Sequence, residues 1–228
     1  MQSIFKKYDI ELSPKELQDF EKFLEIFMEK NSQINLSAIR DRDGIIEKHF
    51  VDSIMLNIFF DLQWKVADIW TGGGFPLIPL AIINPEIQFT GMDSVWKKIK
   101  AIEDFREQLG INNITTVNGR CEDIWQNPNH REQYDIVTSR ATAYLPTLIE
   151  YAIPLLKVGW VLCAYKLDDK EEIKESKKAL ARLGAKIMKI KNYEIWDQKR
   201  IIIFIEKIAA THKKYPRRVG EPFKNPIK

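Results

Sequence analysis

The stretch Lys65–Pro76, KVADIWTGGGFP, decides the fold. Lys65–Trp70 is a short, mostly apolar segment that predicts a buried strand, and it runs directly into Gly72-Gly73-Gly74. The apolar segment Leu77–Ile83 that follows predicts a short helix. A strand, a glycine-rich turn and a helix in this order are typical of the first unit of a doubly wound α/β sheet. Glycines at the end of such a strand allow the backbone to approach a ligand closely.

Downstream of this unit, predicted strands alternate with predicted helices. The strands are Ile87–Met92, Ile114–Val117, Tyr134–Thr138, Val161–Tyr165, Lys186–Tyr193 and Arg200–Ile205, and the helices are Lys97–Leu109, Pro146–Leu156 and Lys170–Leu183. This alternation requires right-handed crossovers and a mostly parallel sheet that is covered on both faces. The last two strands are too close for a helical crossover, so we expect them to be antiparallel. The prediction is an α/β, doubly wound, mostly parallel seven-stranded sheet.

Two amphipathic helices precede the sheet. Ser13-Pro14-Lys15-Glu16 predicts a helix start, with Ser13 as N-cap, proline in the first turn and Glu16 closing a capping box. A second helical segment covers about Gly44–Phe60. We therefore divide the chain into an N-terminal helical extension (1–62), a sheet-containing core (63–210) and a C-terminal tail (211–228).

Composition excludes several classes of protein. The 228 residues are 45% hydrophobic and 11% aromatic, which is enough apolar surface to exclude disorder as the main state. Cys121 and Cys163 are far apart and the apolar runs fall short of the ~20 residues that span a bilayer, so we expect a cytoplasmic protein with no membrane contact. The three histidines are scattered, so we expect no metal site. No apolar stripe calls for a partner, and we expect a monomer.

Positive charge is concentrated in the tail. Residues 211–228 contain a single acidic residue, Glu221, and six basic ones: Lys213, Lys214, Arg217, Arg218, Lys224 and Lys228. A basic segment on a near-neutral body is suited to phosphate backbones, and we predict RNA contacts from all of these except Lys228. A solubilising terminus is the alternative interpretation.

The glycine-rich turn and Asp93 indicate an adenosine-containing ligand. Asp93 lies 25 residues after Asp68, at the end of the next strand, where its carboxylate could accept hydrogen bonds from ribose hydroxyls. The dinucleotide fingerprint G-x-G-x-x-G would require glycine where Leu77 stands, and no Lys-Ser or Lys-Thr follows the turn. The pattern therefore favours S-adenosylmethionine over NAD. A glycine turn without a ligand remains a third interpretation.

The chain resembles the bacterial 16S ribosomal RNA methyltransferase G family, also called the glucose-inhibited division protein B family. The matching motifs are Asn35–Ile39, Lys48-His49, Asp52-Ser53, Asp68–Pro79, Asp93-Ser94, Lys97-Lys98, Arg120-Cys121-Glu122, Ser139-Arg140-Ala141, Tyr165-Lys166, Tyr215-Pro216-Arg217-Arg218, Gly220, Pro222, Lys224 and Pro226. Ordered agreement over so many short motifs is more specific than the glycine turn alone.

The resemblance implies a class I methyltransferase, Rossmann-like, that transfers a methyl group from S-adenosylmethionine to N7 of a guanine in the 530 loop of 16S rRNA. It leaves open whether the substrate is naked RNA, the small ribosomal subunit or an assembly intermediate. The cofactor contacts that it implies, together with those suggested by the turn itself, are Asp68, Trp70, Gly72, Gly74, Phe75, Asp93, Ser94, Cys121, Glu122 and Arg140.

No catalytic acid or base is expected, because guanine N7 carries a free lone pair at neutral pH. Orientation of two bound partners is then the work of the enzyme. Arg140 and Lys166, at the ends of the fourth and fifth strands, are our candidates for positioning the acceptor guanine or its phosphates. The alternative is that both are ordinary surface charges.

The chain departs from the family pattern at Trp70, where the turn of relatives carries glycine. Trp64, Trp96, Trp125 and Trp160 also stand where relatives commonly carry glycine or another turn-forming residue. One hypothesis is that several of these tryptophans are stop codons that the source organism translates as glycine. A divergent loop with tryptophan in the pocket is the alternative. Because an indole at Trp70 would fill the cofactor site, the competing function is that of a non-catalytic RNA-binding relative.

Overall fold

The computed structural model describes residues 1–140 and 143–228 and is built on a seven-stranded sheet. The strands are β1 (Lys65–Ile69), β2 (Gln88–Asp93), β3 (Ile114–Asn118), β4 (Tyr134–Arg140), β5 (Leu156–Leu167), β6 (Ala185–Ile195) and β7 (Gln198–Lys207), in the order β3-β2-β1-β4-β5-β7-β6. Strands β1 to β5 are parallel, and β7 is antiparallel to both β5 and β6. The predicted sheet is confirmed.

Helices cover both faces of the sheet. They are α1 (Gln2–Lys6), α2 (Pro14–Ile34), α3 (Arg42–Ile45), α4 (Asp52–Phe59), α5 (Leu77–Ile83), α6 (Trp96–Leu109), α7 (Cys121–Ile124), α8 (Leu145–Ala152), α9 (Lys170–Glu175), α10 (Lys177–Leu183) and α11 (Glu221–Lys224). The predicted capping box is present: Ser13 Oγ accepts from the Glu16 amide at 3.3 Å, and Glu16 Oε2 accepts from the Ser13 amide at 2.7 Å.

Three predicted helices are less regular than their patterns suggested. A π-helical turn, Ile46–Val51, joins α3 to α4. The helix predicted over Pro146–Leu156 ends at Ala152 and continues only as a 3₁₀ turn, Ile153–Leu155. Pro154 has no backbone N–H, so it cannot donate the hydrogen bond that would extend the α-helix. The segment Lys170–Leu183 breaks at Ser176, whose hydroxyl donates to the Ile173 carbonyl at 2.7 Å and so competes with the helix backbone.

Each face of the sheet carries a hydrophobic core. The first joins the N-terminal helices to α5 and α6, with Phe23 and Phe27 packed against Phe75 and Phe105. The second lies under α8 and α10 and takes in the tail residues Tyr215 and Ile227. The extension and the tail therefore contribute to the two cores, while the proposed boundaries at 62/63 and 210/211 remain predictions.

The register places the carboxyl ends of β1, β2 and β4 side by side at one end of the sheet. Asp68 on β1 lies beside Gly91 on β2 and Thr138 on β4, and Ile69 lies beside Met92. From β1 to β3 each new strand is added on one side of β1, and from β4 onward on the other side, so the strand order reverses between β1 and β4. Ligands bind at this switch point in doubly wound folds.

Candidate functional site

The bend after β1 is held to the end of β2 by Asp93. Asp93 Oδ2 accepts from the Gly72 amide at 3.1 Å, and Oδ1 accepts from the Val95 amide at 2.9 Å. The carboxylate is 5% exposed, and Lys98 Nζ lies 3.7 Å from it. The requirement that Asp93 lie beside the glycine-rich turn is met, although backbone amides already use both of its oxygens.

Asp68 is a buried carboxyl under the same bend. Oδ1 accepts from the Thr138 hydroxyl at 2.8 Å, whereas Oδ2 has no hydrogen-bond partner within residues 1–140 and 143–228. Burial raises the pKa of Asp68 to about 7, and the neighbouring Thr71 hydroxyl, the Thr138 hydrogen bond and the field of Arg140 offset this only in part. Buried polar atoms without a partner are rare in native proteins, and within the described part of the chain Asp68 Oδ2 and the Thr71 hydroxyl are two of them under this bend.

A cavity of about 320 Å³ opens beside the bend and brings together four of the predicted cofactor contacts, Trp70, Ser94, Cys121 and Glu122. Tyr151 on α8 and residues 219, 220 and 223 of the tail line it as well. The Trp70 indole forms part of the wall of this cavity, edge-on to Tyr151 with ring centroids 5.3 Å apart and 5.8 Å from Phe223. Trp70 therefore stands at the cavity in which the cofactor was expected.

Two side chains that line this cavity, Cys121 and Glu122, have pKa values shifted in opposite directions. Burial raises the pKa of the Cys121 thiol, which keeps it neutral. Burial also acts to raise the pKa of Glu122, but hydrogen bonds from the Tyr151 hydroxyl (2.7 Å) and the Gly220 amide (2.8 Å) outweigh it and hold that pKa below its usual range. Glu122 thus fixes the tail against the cavity.

The turn itself needs glycine at two predicted contacts. Gly72 and Gly74 have φ of +57° and +89°, and a Cβ on Gly74 would lie 2.6 Å from Ile78 Cδ1. Phe75 follows these glycines, and its ring is 7% exposed and stacks on His49 with centroids 4.5 Å apart. Its cofactor contact stays a prediction.

Three tryptophans also have left-handed backbones. Trp64, Trp70 and Trp196 have φ of +60°, +55° and +51°. Bulky residues rarely adopt this region, whereas glycine adopts it freely. Trp125, by contrast, has φ of −72° and is fully buried in the second core. The backbone at Trp64 and Trp70 is thus of the kind that glycine favours, and Trp196 is a further such position that the sequence pattern had not singled out.

A second cavity, of about 450 Å³, contains both predicted acceptor-positioning residues, Arg140 and Lys166. Their side chains are 10% and 12% exposed, so the interpretation as surface charges is wrong. Arg140 donates to Asp52 Oδ2 at 2.8 Å and to the Lys48 carbonyl at 2.9 Å. Lys166 donates to the Ala143 carbonyl at 2.9 Å and pairs with Glu172 at 2.6 Å. Ala141, part of the motif that contains Arg140, lies outside the described residues.

Sequence reasoning missed the groups that hold Arg140. Asp52, fully buried on α4, accepts from Arg140, from Arg200 Nη1 at 2.7 Å and from the Tyr193 hydroxyl at 2.8 Å. Arg140 Nη2 lies 3.0 Å from His49 Nδ1. Burial first, and then the charge of Arg140, lowers the pKa of His49 to about 3. The available signal was Asp52 itself, an acidic residue in an apolar helix, because a buried charge needs partners.

The tail is packed on the body, and its cations differ in their surroundings. Lys213, Lys214, Arg218 and Lys224 are exposed, as RNA contacts must be. Arg217 instead donates through Nε and Nη2 to Glu150, which is fully buried, at 2.7 to 3.1 Å. This guanidinium is engaged within the chain, and an RNA contact from it stays a prediction.

The site fits S-adenosylmethionine in its polar parts and conflicts with it at one residue. The free Asp68 Oδ2, the glycine backbone and the adjacent Asp93 provide acceptors and close approach. The indole of Trp70 is the conflict. Within the described residues, no helix is long and apolar enough to cross a membrane, and no cluster of three metal-ligating side chains occurs.

Solved structures support the fold. A SAM dependent methyltransferase from Aquifex aeolicus aligns with a TM-score of 0.54 at 14% identity, covering 72% of this chain and 93% of that one. The 16S rRNA (adenine(1408)-N(1))-methyltransferase from Catenulisporales acidiphilia, solved as a mutant, aligns with a TM-score of 0.55 at 15% identity, covering 65% and 86%. The predicted class I, Rossmann-like fold is confirmed.

Sequence comparison reaches further. The family model for GidB, rRNA small subunit methyltransferase G, matches residues 16–202. The ribosomal RNA small subunit methyltransferase G of Lactococcus lactis subsp. lactis is 42% identical over 99% of this chain and 97% of its own length. That of Lysinibacillus sphaericus is 40% identical over 97% and 95%. The chain therefore belongs to the rRNA small subunit methyltransferase G (GidB) family.

Proposed function

We propose that this protein methylates N7 of a guanine in the 530 loop of 16S rRNA. Family membership supports the coarser assignment, an S-adenosylmethionine-dependent rRNA methyltransferase. The observation that carries the finer proposal is the position of Arg140. Its guanidinium lies 5.4 Å from the Phe75 ring at the bend and lines the second cavity together with Lys166. The cofactor bend and a cation-lined acceptor cavity thus meet at one residue.

The residues on either side of Arg140 divide the work. Asp93 and the Gly72–Gly74 backbone would hold the cofactor, which supplies an electrophilic methyl group. Arg140 and Lys166 would orient the guanine or its phosphates, and each is fixed by a buried carboxylate, Asp52 or Glu172. Such preorganisation is what an orientation-driven reaction needs. Since guanine N7 loses no proton on methylation, no residue has to act as a base.

The RNA itself would be held partly by the tail. Lys213, Lys214 and Arg218 line a groove with Glu122 and Asp123 of α7, next to the cofactor cavity. Lys224 is exposed on α11. Removal of any one phosphate-binding cation should weaken RNA binding and reduce its salt dependence by about one unit of slope.

Methyl transfer tests the proposal directly. Small subunits that lack the modification, and naked 16S rRNA, are incubated with the protein and methyl-labelled S-adenosylmethionine, and the modified base is mapped by chemical cleavage at 7-methylguanine. We expect one labelled guanine, in the 530 loop. Label at an adenine, or at a guanine elsewhere in 16S rRNA, would overturn the assignment.

The second candidate function, a non-catalytic RNA-binding relative, is favoured by one observation. The Trp70 indole lines the cavity proposed for the cofactor and contacts the rings of Tyr151 and Phe223 there. Calorimetry separates the two candidates. Binding of both S-adenosylmethionine and RNA supports the enzyme, whereas RNA binding with no cofactor binding supports the second candidate.

A further inference from the structure

The acceptor cavity has a third cation that the sequence did not single out, Arg200. It lies at the start of β7, beside Gln198, and lines the cavity that contains Arg140 and Lys166. Tyr193 on β6 faces the same cavity. The β6–β7 hairpin therefore contributes a guanidinium to the site opposite the ends of β4 and β5.

Arg200 differs from Arg140 and Lys166 in how many of its N–H donors lack a partner. Arg140 and Lys166 each have close polar partners within the chain. Arg200 gives Nη1 to Asp52 at 2.7 Å, but Nη2 only reaches Gln198 Oε1 at 3.3 Å. Its Nε is buried and has no hydrogen-bond partner within residues 1–140 and 143–228. The Nε–Nη2 edge is thus almost unsatisfied.

That edge is the one with which a guanidinium binds an oxyanion side-on. Two parallel N–H groups match the two oxygens of a carboxylate or phosphate. Arg217 in this chain shows the satisfied form, with Nε and Nη2 both on Glu150 at 2.7 to 3.1 Å. Arg200 lines the cavity, and within residues 1–140 and 143–228 no carboxylate lies on its Nε–Nη2 edge. A buried donor without a partner implies an acceptor that arrives with a ligand.

We propose that Arg200 binds a phosphate of the acceptor RNA strand through Nε and Nη2. Asp52 is the positioning residue, because it holds Nη1 and so fixes the plane of the guanidinium. Asp169 lines the same cavity, but its Oδ1 accepts from the Glu171 and Glu172 amides and caps α9. The inference rests on the proposed function, since RNA is the source of the phosphate.

Equilibrium binding of the full chain to a 16S rRNA fragment containing the 530 loop, over a series of salt concentrations, tests the role of Arg200. We expect Arg200→Ala to lose at least about tenfold in RNA affinity and about one unit of salt slope. Arg200→Lys should keep the slope and lose affinity, because an ammonium cannot bind side-on. Lys199→Ala, which removes an exposed charge next in sequence, is the control and should match the wild type.

The positioning role of Asp52 is tested by combining substitutions at Asp52 and Arg200. Asp52→Asn should weaken RNA binding, and by less in the Arg200→Ala background than alone; the loss that remains in that background passes through Arg140, the other cation that Asp52 holds. A merely structural role would lower affinity equally in both backgrounds. Wild-type affinity and slope in both Arg200 variants would overturn this inference while leaving the proposed function standing. If the wild-type protein neither binds nor methylates the RNA, the proposed function itself fails.

Discussion

At the scale of single residues, Trp70 decides how well the site can work. Its left-handed backbone and its indole in the cavity both point to a position that suits glycine. A non-glycine residue in the left-handed region costs about 1 kcal/mol, and the indole narrows the cavity that it lines relative to glycine.

We expect Trp70→Gly to bind S-adenosylmethionine at least about tenfold more tightly, a gain of ~1.4 kcal/mol. Calorimetric titration of both proteins measures it. Trp125→Phe is a control for loss of an indole elsewhere, because Trp125 lies in the core with an ordinary backbone. Equal affinity in wild type and Trp70→Gly would show that the loop accommodates indole.

The recoding hypothesis makes a separate statement about the gene. It concerns Trp64, Trp70, Trp96, Trp125 and Trp160, and TGA codons at these positions would support it. The structure adds a positive φ at two of them, Trp64 and Trp70, and at Trp196. A TGG codon at Trp70 would contradict the hypothesis. The structure gives no such reason for Trp125, and Trp96 stands at the first position of α6, where glycine is not required.

At the scale of elements, the π-helical turn before α4 carries a histidine that stays neutral. His49 accepts from Arg140 at Nδ1, so Nε2 carries the proton and donates to Ser37 Oγ at 2.7 Å. Its pKa of about 3 lies below the ordinary value of 6.5, so the unfolded chain binds a proton first as the pH falls. The contribution of neutral His49 to stability is complete above about pH 6.5 and is lost as the pH falls toward 3.

We therefore expect the wild type to lose on the order of 1–2 kcal/mol of stability between pH 7 and pH 5, relative to His49→Gln over the same interval. Asp68 acts in the opposite direction, because its raised pKa favours the folded state at low pH, and it is common to both proteins. Urea unfolding at the two pH values gives the difference. Parallel pH dependence in the two proteins would show that His49 is not held neutral.

The elements also show what a sequence pattern can and cannot fix. Hydrophobic alternation and the glycine turn correctly predicted where strands occur along the chain, and Ser13–Glu16 correctly predicted the capping box of α2. Both kinds of feature depend on local residues. The π turn, the break at Ser176 and the ion pairs of Asp52 depend on which groups meet across the sheet. Asp93 could be placed beside the bend because neighbouring parallel strands end together. Arg200 could not be placed at the second cavity in this way, because it lies near the start of β7, a strand that runs antiparallel to β5.

At the scale of the whole molecule, the tail serves two purposes. Glu122 holds Gly220, and Phe223 lies against Trp70, so the tail forms one wall of the cofactor cavity. Arg217 fastens it through Glu150. The exposed cations on the same segment face solvent. One stretch of chain thus lines the cavity proposed for the cofactor and carries the cations proposed for RNA binding.

We expect Arg217→Ala to lose about 3 kcal/mol of stability, because it leaves the buried Glu150 carboxylate without its charge partner. Lys213→Ala should reduce RNA affinity and leave stability unchanged. Urea unfolding and RNA titration on both variants test this. The division of roles fails if Arg217→Ala keeps wild-type stability, or if Arg217→Ala/Glu150→Gln is no more stable than Arg217→Ala.

The central claim is that the bend after β1, with Asp93 beside it, binds S-adenosylmethionine. The most direct test is calorimetric titration of the cofactor into Trp70→Gly and Trp70→Gly/Asp93→Asn. Asparagine keeps one acceptor oxygen and so can serve the Gly72 amide or the Val95 amide, but not both; unfolding curves of the two proteins therefore show whether the bend stays folded. We predict one cofactor per chain and at least about tenfold weaker binding when the charged acceptor is replaced. Equal affinity in the two proteins would contradict the claim.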